Sequence, residues 1–217
     1  GKMQHKKILT QGGMVHYWIN RKENAADCIV FTHGVTADHT MFEQQVSYFY
    51  GNYTIILWDV PMHGLSRPYQ GFSYHNTAEI LRDILRQEKI EKIFLVGMSM
   101  GGYPSQHFAS IYPDMVKGFI ALDTTPLGLT YYSKADLWWL KRAVLMAECF
   151  STHILKVSMA WSVSKRKYSF QKMMSMLEPL SKVDIIDQMR VAYEYFPMEN
   201  KDVDFQFPVL ILVGKKD

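Results

Sequence analysis

Five short segments of the chain are almost continuously apolar, and each ends at a polar or glycine-containing cluster: Asp27–Thr32, Tyr53–Trp58, Lys92–Val96, Gly118–Leu122 and Pro208–Val213. Such runs indicate strands that are buried on both faces, because a strand with one wet face alternates apolar and polar residues. An earlier segment, Met14–Asn20, alternates loosely and predicts a further strand. Helical patterns separate most of the runs. The sequence therefore predicts an α/β fold with a mostly parallel central sheet and flanking helices.

Three helices are predicted between the early strands. Two of them cover Met41–Tyr50 and Tyr103–Ile111. The third has Asn76 followed three residues later by Glu79, which is typical of a helix N-terminus. The apolar residues after it fall on one face of a helix, so we predict that this helix begins at Asn76.

The alternation of strands and helices stops after residue 125. About seventy residues follow, with helical spacing and no strand-like run, before the last apolar segment. An ordinary loop is much shorter than this. We therefore predict a helical cap at 126–200, inserted over the carboxyl edge of the sheet, with the α/β core formed by 1–125 and 201–217.

The segment Gly97-Met98-Ser99-Met100-Gly101 lies between an apolar run and a helical pattern. A serine flanked by glycines in a strand–turn–helix context is the pattern of a nucleophile elbow. The tight turn presents the hydroxyl without steric cover, and the two glycines allow neighbouring backbone to approach closely. Ser99 is therefore a candidate nucleophile.

Two more clusters follow strand ends in the same way, and together with the elbow they carry a family resemblance. They are His33-Gly34 and the loop Asp59-Val60-Pro61-Met62-His63-Gly64-Leu65-Ser66. In this order and spacing, the three motifs resemble the α/β-hydrolase fold superfamily, and specifically its small serine esterases and lipase-like members with a helical cap. The resemblance covers nearly the whole chain outside the predicted cap.

The resemblance implies roles for particular residues. Ser99 would attack, and the backbone N–H groups of Met100 and Val35 would form the oxyanion hole. Asp217, just past the last strand, would be the triad acid, and Asp123 after the preceding strand is the alternative.

Two other polar residues at the strand ends are expected to be structural. We expect His33 to brace its loop rather than to take part in catalysis, and Asp59 to organise its own turn by hydrogen bonds to backbone.

The histidines depart from the family pattern. In the family the catalytic base follows the acid, but all eight histidines of this chain precede Asp217. His39, His63 and His153 are weak candidates for that base. The resemblance therefore implies a chain that ends before its last strand, its last helix and its catalytic histidine, and that is nearly inactive as written.

The resemblance implies hydrolysis of carboxylic esters with small or medium apolar acyl groups, through an acyl-serine intermediate. Methionine and tryptophan are concentrated in the predicted cap, where we expect most of them to form core and a few to line an apolar pocket. Thioester, amide or C–C bond hydrolysis and haloperoxidase chemistry use the same machinery. Epoxide hydrolases and dehalogenases are disfavoured because they carry aspartate at the position of Ser99. A non-catalytic ligand-binding or signalling protein on the same scaffold is a further alternative.

Composition narrows the choice of partner and location. The net charge is +3 and no long basic run is present, so we expect no nucleic-acid partner. No stretch approaches 18 apolar residues, and the two cysteines form no redox motif, so we expect a cytoplasmic protein without a membrane span. Neither a dinucleotide-binding glycine motif nor a cluster with metal-ligand spacing occurs, so no cofactor and no metal are predicted.

Overall fold

A computed structural model describes residues 3–24, 27–47, 49–98, 101–122, 144–145, 147–148, 150–156, 167–191 and 209–212. Within these ranges, seven strands form one sheet in the order β1-β2-β4-β3-β5-β6-β7. The strands are β1 (Gln4–Leu9), β2 (Met14–Asn20), β3 (Cys28–Thr32), β4 (Thr54–Trp58), β5 (Ile93–Met98), β6 (Val116–Leu122) and β7 (Val209–Leu212). β2 pairs antiparallel with β1 and with β4, whereas every later pairing is parallel. The predicted mostly parallel α/β sheet is confirmed.

The central strands are buried on both faces, as their apolar runs predict. Every residue of β3 and of β4 is buried, whereas β2 alternates buried and half-buried residues. The apolar pattern predicts no strand before Met14, yet β1 forms an edge strand there. Most of its residues are exposed and it carries two lysines, Lys6 and Lys7, so its sequence has no apolar run to reveal it.

Five helices accompany the strands in the described ranges: α1 (Glu43–Val46), α2 (Tyr74–Gln87), α3 (Gly102–Ile111), α4 (Lys167–Leu177) and α5 (Lys182–Arg190). The predicted start of α2 at Asn76 is wrong. The N-cap is Ser73, whose hydroxyl accepts from the backbone N–H of Asn76. Both residue types cap helices well, and the earlier start is favoured because it brings Tyr74 into the core as a fully buried residue. The helix predicted over Met41–Tyr50 is also shorter than expected, since a 3-10 turn at His39–Phe42 precedes α1.

Each face of the sheet has its own apolar core. Alternate residues of β3 show the division, because Val30 packs with α2 and α3 while Ile29 and Phe31 pack with the segment around α1. The four largest fully buried side chains, Trp58, Tyr17, Tyr74 and Phe108, belong to the first of these cores. Helices thus cover both faces, which is why the central strands lack alternation.

A buried carboxylate joins β1 and β2 to α2. Glu88, at the C-terminus of α2, accepts hydrogen bonds from Lys6 at 3.0 Å, from Arg21 at 2.9 Å and from the hydroxyl of Tyr17 at 2.6 Å. Its side chain is only 1% exposed. Burial alone would raise the pKa of Glu88, but the hydrogen bonds from Tyr17, Lys6 and Arg21 hold it below the usual range. The network fixes β1 and β2 on the helix.

Between β6 and β7, the described residues are mainly helical. They include α4, α5, the helical residues 152–156 and shorter helical pieces at 144–145 and 147–148. These segments share a third apolar cluster, in which Met173, Met176, Leu177 and Met189 are buried. No helix in the described ranges is long and apolar enough to cross a membrane. The boundaries of a cap at 126–200 remain a prediction.

Candidate active site

Four parallel strands bring their carboxyl ends to one edge of the sheet. Thr32 at the end of β3 pairs with Trp58 of β4 on one side and with Gly97 of β5 on the other. Met98 of β5 pairs with Leu122 of β6. The loops that follow parallel strands gather at the same edge, which is where open α/β sheets bind ligands. The clusters that sequence analysis singled out after β3, β4 and β5 therefore begin side by side.

The two glycines of the predicted elbow are tightly packed. A Cβ atom added at Gly97 would lie 2.7 Å from the carbonyl oxygen of Gly101. One added at Gly101 would lie 2.2 Å from the carbonyl oxygen of Thr32 and 2.3 Å from that of His33. Backbone atoms cannot yield by such distances, so both positions require glycine. The close approach predicted at both glycines is confirmed, and it places the start of α3 directly against the end of β3.

Four of the predicted site residues lie outside the described residues: Ser99, Met100, Asp123 and Asp217. The chain is described up to Met98, at the end of β5, and again from residue 101, just before α3. In chain order, Ser99, Met100 and Gly101 thus separate this strand from this helix.

Val35 lies in a turn directly after β3. The backbone N–H of Ala37 donates to the carbonyl oxygen of Gly34 at 3.3 Å and closes the turn around Val35 and Thr36. Thr36 has φ of 60°, which is costly for a β-branched residue. Within the described part of the chain, the N–H of Val35 donates to no acceptor. A strained turn with an unused N–H can bind a developing negative charge.

His33 connects the loops after β3 and β4. The ring is fully buried, its Nδ1 donates to the carbonyl oxygen of Gly34 at 2.8 Å, and its Nε2 accepts from the backbone N–H of Val60 at 3.1 Å. Because Nε2 is an acceptor, the ring must be neutral, and burial accordingly lowers its pKa. The expected structural role of His33 is confirmed.

Asp59 organises the loop after β4 and also reaches the loop after β3. Its fully buried carboxylate accepts from the backbone N–H of Leu65 at 2.9 Å, as expected for a turn-forming residue. It also accepts from the backbone N–H of His39 at 2.8 Å and from the ring Nδ1 of His39 at 2.9 Å. A Cβ at Gly64 would lie 2.3 Å from the same carboxylate, so only glycine fits beside it. No sequence pattern predicted the hydrogen bonds between His39 and Asp59.

The pKa of Asp59 reflects this environment. Burial alone would raise the pKa, but the hydrogen bond and the charge of His39, with a smaller contribution from the N–H of Leu65, lower it below the ordinary value. The carboxylate is therefore ionised at neutral pH. It acts as a fixed negative charge that holds the two loops together.

One group of side chains in the described residues has the composition of a metal site. Ligand atoms of Asp38, His39 and Asp59 lie within 4.8 Å of one another. The ring of His39 already donates to Asp59, and one oxygen of Asp38 accepts from the backbone N–H and the hydroxyl of Thr40. These contacts satisfy the group as an intramolecular network. Binding of a cation there would require His39 to give up its contact with Asp59.

His63 is unsuited to the role of a catalytic base. It is fully buried, its Nδ1 donates to the carbonyl oxygen of Pro61 at 3.1 Å, and its ring lies 5.1 Å from that of His33. Burial in an apolar environment lowers its pKa to about 3. A base must be protonated readily near neutral pH, and this ring is not. His153, another weak candidate, is exposed on the helical segment 152–156.

Helix α5 is bound to the loop after β4. The side-chain amide of Gln188 donates to the carbonyl oxygen of Met62 at 2.8 Å. Arg67 forms an ion pair with Asp184 at 2.9 Å. The apolar cluster of α4 and α5 also includes Ala37, from the turn after β3. The helices between β6 and β7 therefore contact the loops at the carboxyl edge of the sheet.

Comparison with known proteins agrees with this geometry. The family model of the alpha/beta hydrolase fold matches residues 27–158. The 3-oxoadipate enol-lactonase 1 of Acinetobacter baylyi is 36% identical over 100 residues, which cover 45% of this chain and 37% of the lactonase. The 2-(acetamidomethylene)succinate hydrolase of Mesorhizobium japonicum is 31% identical over 107 residues, 49% of this chain and 38% of that enzyme. The matched part of the chain thus spans well under half of these relatives.

A solved structure shows the same fold at much lower sequence identity. The crystal structure of a hydrolase from Pseudomonas aeruginosa superposes with a TM-score of 0.77 and 12% identity, covering 97% of this chain and 80% of that protein. Similarity at this identity concerns the arrangement of strands and helices alone.

Proposed function

Because this chain belongs to the alpha/beta hydrolase fold family, we propose that it is a serine hydrolase that cleaves carboxylic esters with small or medium apolar acyl groups. The observation that carries the proposal is the packing of Gly97 and Gly101 against each other and against the end of β3. Both positions require glycine because backbone atoms approach them closely, as the tight strand-to-helix turn of a nucleophile elbow demands. Such a turn presents a nucleophile at the carboxyl edge of the sheet.

The turn after β3 supports an oxyanion hole. The N–H of Val35 is unused within the described residues, and His33 and Asp59 hold its loop at both ends. Prearranged N–H groups stabilise the developing oxyanion because they need no reorganisation during the reaction, and removal of one such donor costs about 3–4 kcal/mol. We assign the second N–H to Met100, the residue after the nucleophile.

The proposed reaction has two halves. Ser99 Oγ attacks the ester carbonyl carbon while a histidine takes its proton, and the oxyanion accepts hydrogen bonds from Val35 and Met100. The tetrahedral intermediate expels the alcohol, which takes the proton from the histidine. Water then attacks the acyl-serine in the same way and releases the acid. Asp217, or alternatively Asp123, orients the histidine.

The helices between β6 and β7 support an apolar substrate. Their buried methionines form an adaptable surface that packs against Ala37, close to Val35 in the chain. We propose that segment 126–200 covers the site as a cap. The names of two curated relatives, a lactonase and a putative esterase/lipase of Haemophilus influenzae, support ester substrates.

The test is hydrolysis of p-nitrophenyl esters from acetate to decanoate by the natural full-length protein, with Ser99→Ala and Ser110→Ala beside it. Ser110 is a matched control, since it lies in α3 and its hydroxyl donates to the carbonyl oxygen of His107 at 2.8 Å. We expect Ser99→Ala to lower kcat by on the order of 10⁶-fold, as loss of a nucleophile does, and Ser110→Ala to leave it nearly unchanged. Equal turnover by the two variants would contradict the proposal. Ligand binding without turnover would favour the non-catalytic alternative.

A further inference from the structure

Two histidines of the β1–β2 hairpin point their ring nitrogens at each other. His5 Nε2 lies 2.8 Å from His16 Nδ1, and the ring centroids are 5.0 Å apart. In the register of the hairpin, His5 is opposite Trp18 and His16 is opposite Lys7, so the two histidines are diagonal neighbours on one face. The pair belongs neither to the proposed active site nor to the group around Asp59.

From this pair we infer a binding site for a borderline divalent transition metal ion, with zinc as the representative case, in which His5 Nε2 and His16 Nδ1 are the protein ligands. Imidazole nitrogen binds zinc at about 2.0–2.1 Å, and two such ligands at angles of about 90–109° are separated by roughly 2.9–3.4 Å. The observed 2.8 Å is within a few tenths of an ångström of that range. Water completes the coordination.

The surroundings prepare both rings for this role. The ring of His5 stacks on Trp18 with a centroid distance of 4.6 Å and an interplanar angle of 7°, which fixes its plane. In the present contact one of the two nitrogens donates its proton to the other, and a bound ion would take the place of that proton, which can move to the far nitrogen of its ring. His5 is exposed, and its side chain can therefore make the small outward movement that an inserted ion requires.

The positive charge of Lys7 repels a bound cation, because Lys7 lies opposite His16 in the hairpin. An ion held mainly by electrostatic attraction, such as magnesium, would therefore bind poorly, and magnesium also prefers oxygen ligands. Zinc, nickel and copper form stronger bonds to imidazole nitrogen and tolerate the lysine better. The site is selective for these ions over magnesium.

A bound ion would also strengthen the link between the hairpin and the loop after β4. The backbone N–H of His16 donates to the hydroxyl of Ser66 at 2.9 Å, and its carbonyl oxygen accepts from the N–H of Asp59 at 3.0 Å. By bridging β1 to β2 at His16, the ion would stabilise the edge strand and the support of this loop. The expected sign is a rise in melting temperature with zinc, because only the folded chain brings the two rings together.

No local sequence pattern marks this site, because the ligands are 11 residues apart and meet only through strand pairing. The two ligands therefore form no short sequence motif that would identify a metal site. The prediction that the protein binds no metal considered only ligand residues that lie close together in the chain.

Calorimetric titration of the untagged protein with zinc, and separately with magnesium, tests the inference. We expect saturable binding of one zinc ion per chain and no binding of magnesium. Loss of an outer partner of a metal-bound histidine already costs about 10–100-fold in affinity, so His5→Ala and His16→Ala should each cost at least as much. His75→Ala and His153→Ala, which remove exposed histidines elsewhere, should bind zinc like the parent chain.

A further variant separates a metal site from an ordinary hydrogen bond. His5→Gln keeps a hydrogen-bonding partner for His16 but removes the imidazole ligand, so it should fold normally and lose zinc binding. Circular dichroism checks the fold of every variant. Absence of saturable zinc binding to the parent chain would overturn the inference. Unchanged affinity in His5→Ala or His16→Ala would overturn it as well.

Discussion

Replacement of Asp59 by asparagine removes the charge that joins the loops after β3 and β4. The asparagine oxygen can still accept from the backbone and ring of His39, but its NH₂ group would face the N–H of Leu65. The N–H of Leu65 would lose its acceptor beside a fully buried side chain, which costs about 1–3 kcal/mol, and each of the two bonds from His39 loses about 1 kcal/mol when its acceptor is no longer charged. The sum, about 3–5 kcal/mol, is that expected when one partner of a buried ionic network is lost.

The assay is urea unfolding at pH 7, followed by tryptophan fluorescence. With a slope of about 2–3 kcal/mol per molar urea, the midpoint of Asp59→Asn should fall by roughly 1–2 M. Asp38→Asn is the matched control, because Asp38 is a half-buried N-cap that accepts from Thr40. Asparagine caps a helix as well as aspartate does, so this variant should stay within about 0.5 kcal/mol of the parent chain.

The pH dependence gives the same prediction a second test. Because the folded-state pKa of Asp59 is lowered, its contribution to stability is fully present above the ordinary value of 3.8 and is lost as the pH falls through the lowered value. The difference between the parent chain and Asp59→Asn should therefore shrink in acid. A loss below about 0.5 kcal/mol at pH 7, or an equal loss in Asp38→Asn, would refute the reasoning.

Three further substitutions test the local physics of the fold and the site. Glu88→Gln should destabilise the chain by about 2–4 kcal/mol in urea unfolding at pH 7. Because the pKa of Glu88 is lowered in the folded chain, the variant should also lose less stability than the parent as the pH falls below 4.5. An unchanged acid profile would count against the network. Thr36→Gly should be more stable than Thr36→Ala by about 1 kcal/mol in thermal or urea unfolding, because φ is 60° there. Elsewhere alanine usually gives the more stable protein of the two. If Thr36→Ala is the more stable variant here, the turn is unstrained. Gly101→Ala should lower the free energy of unfolding by about 3 kcal/mol or more and impair hydrolysis. In the control Gly71→Ala, the added Cβ meets nothing within 4 Å, so only the strain of the positive φ should be lost from stability. Equal effects of the two substitutions would contradict the packing at the elbow.

The sequence predicted those parts of the fold that depend on local pattern. β3 and β4 appeared as apolar runs because both of their faces are covered. β1 did not appear, because an edge strand that binds Glu88 through Lys6 is mostly polar. The start of α2 was misplaced because two good capping residues, Ser73 and Asn76, lie one turn apart, and only burial of Tyr74 decides between them.

In the candidate site, too, only the residues marked by a local sequence pattern could be predicted. Gly97 and Gly101 belong to a contiguous motif, and so their close packing could be predicted. The partnership of His39 with Asp59 joins two loops 20 residues apart and leaves no local trace. The one signal that could have suggested it was an aspartate directly after a buried strand, because a buried carboxylate requires a donor of its own.

Covalent labelling of Ser99 tests the central claim most directly. A fluorophosphonate reacts with an activated serine, whose Oγ forms a bond to phosphorus as fluoride leaves. We predict that peptide mass spectrometry of the natural full-length protein, labelled at pH 7 to 8, finds the phosphonyl group on Ser99 and not on Ser110, and that ester hydrolysis is lost in proportion to labelling. Hydrolysis that persists in a fully labelled sample, or labelling that persists in Ser99→Ala, would contradict the assignment of Ser99 as the nucleophile.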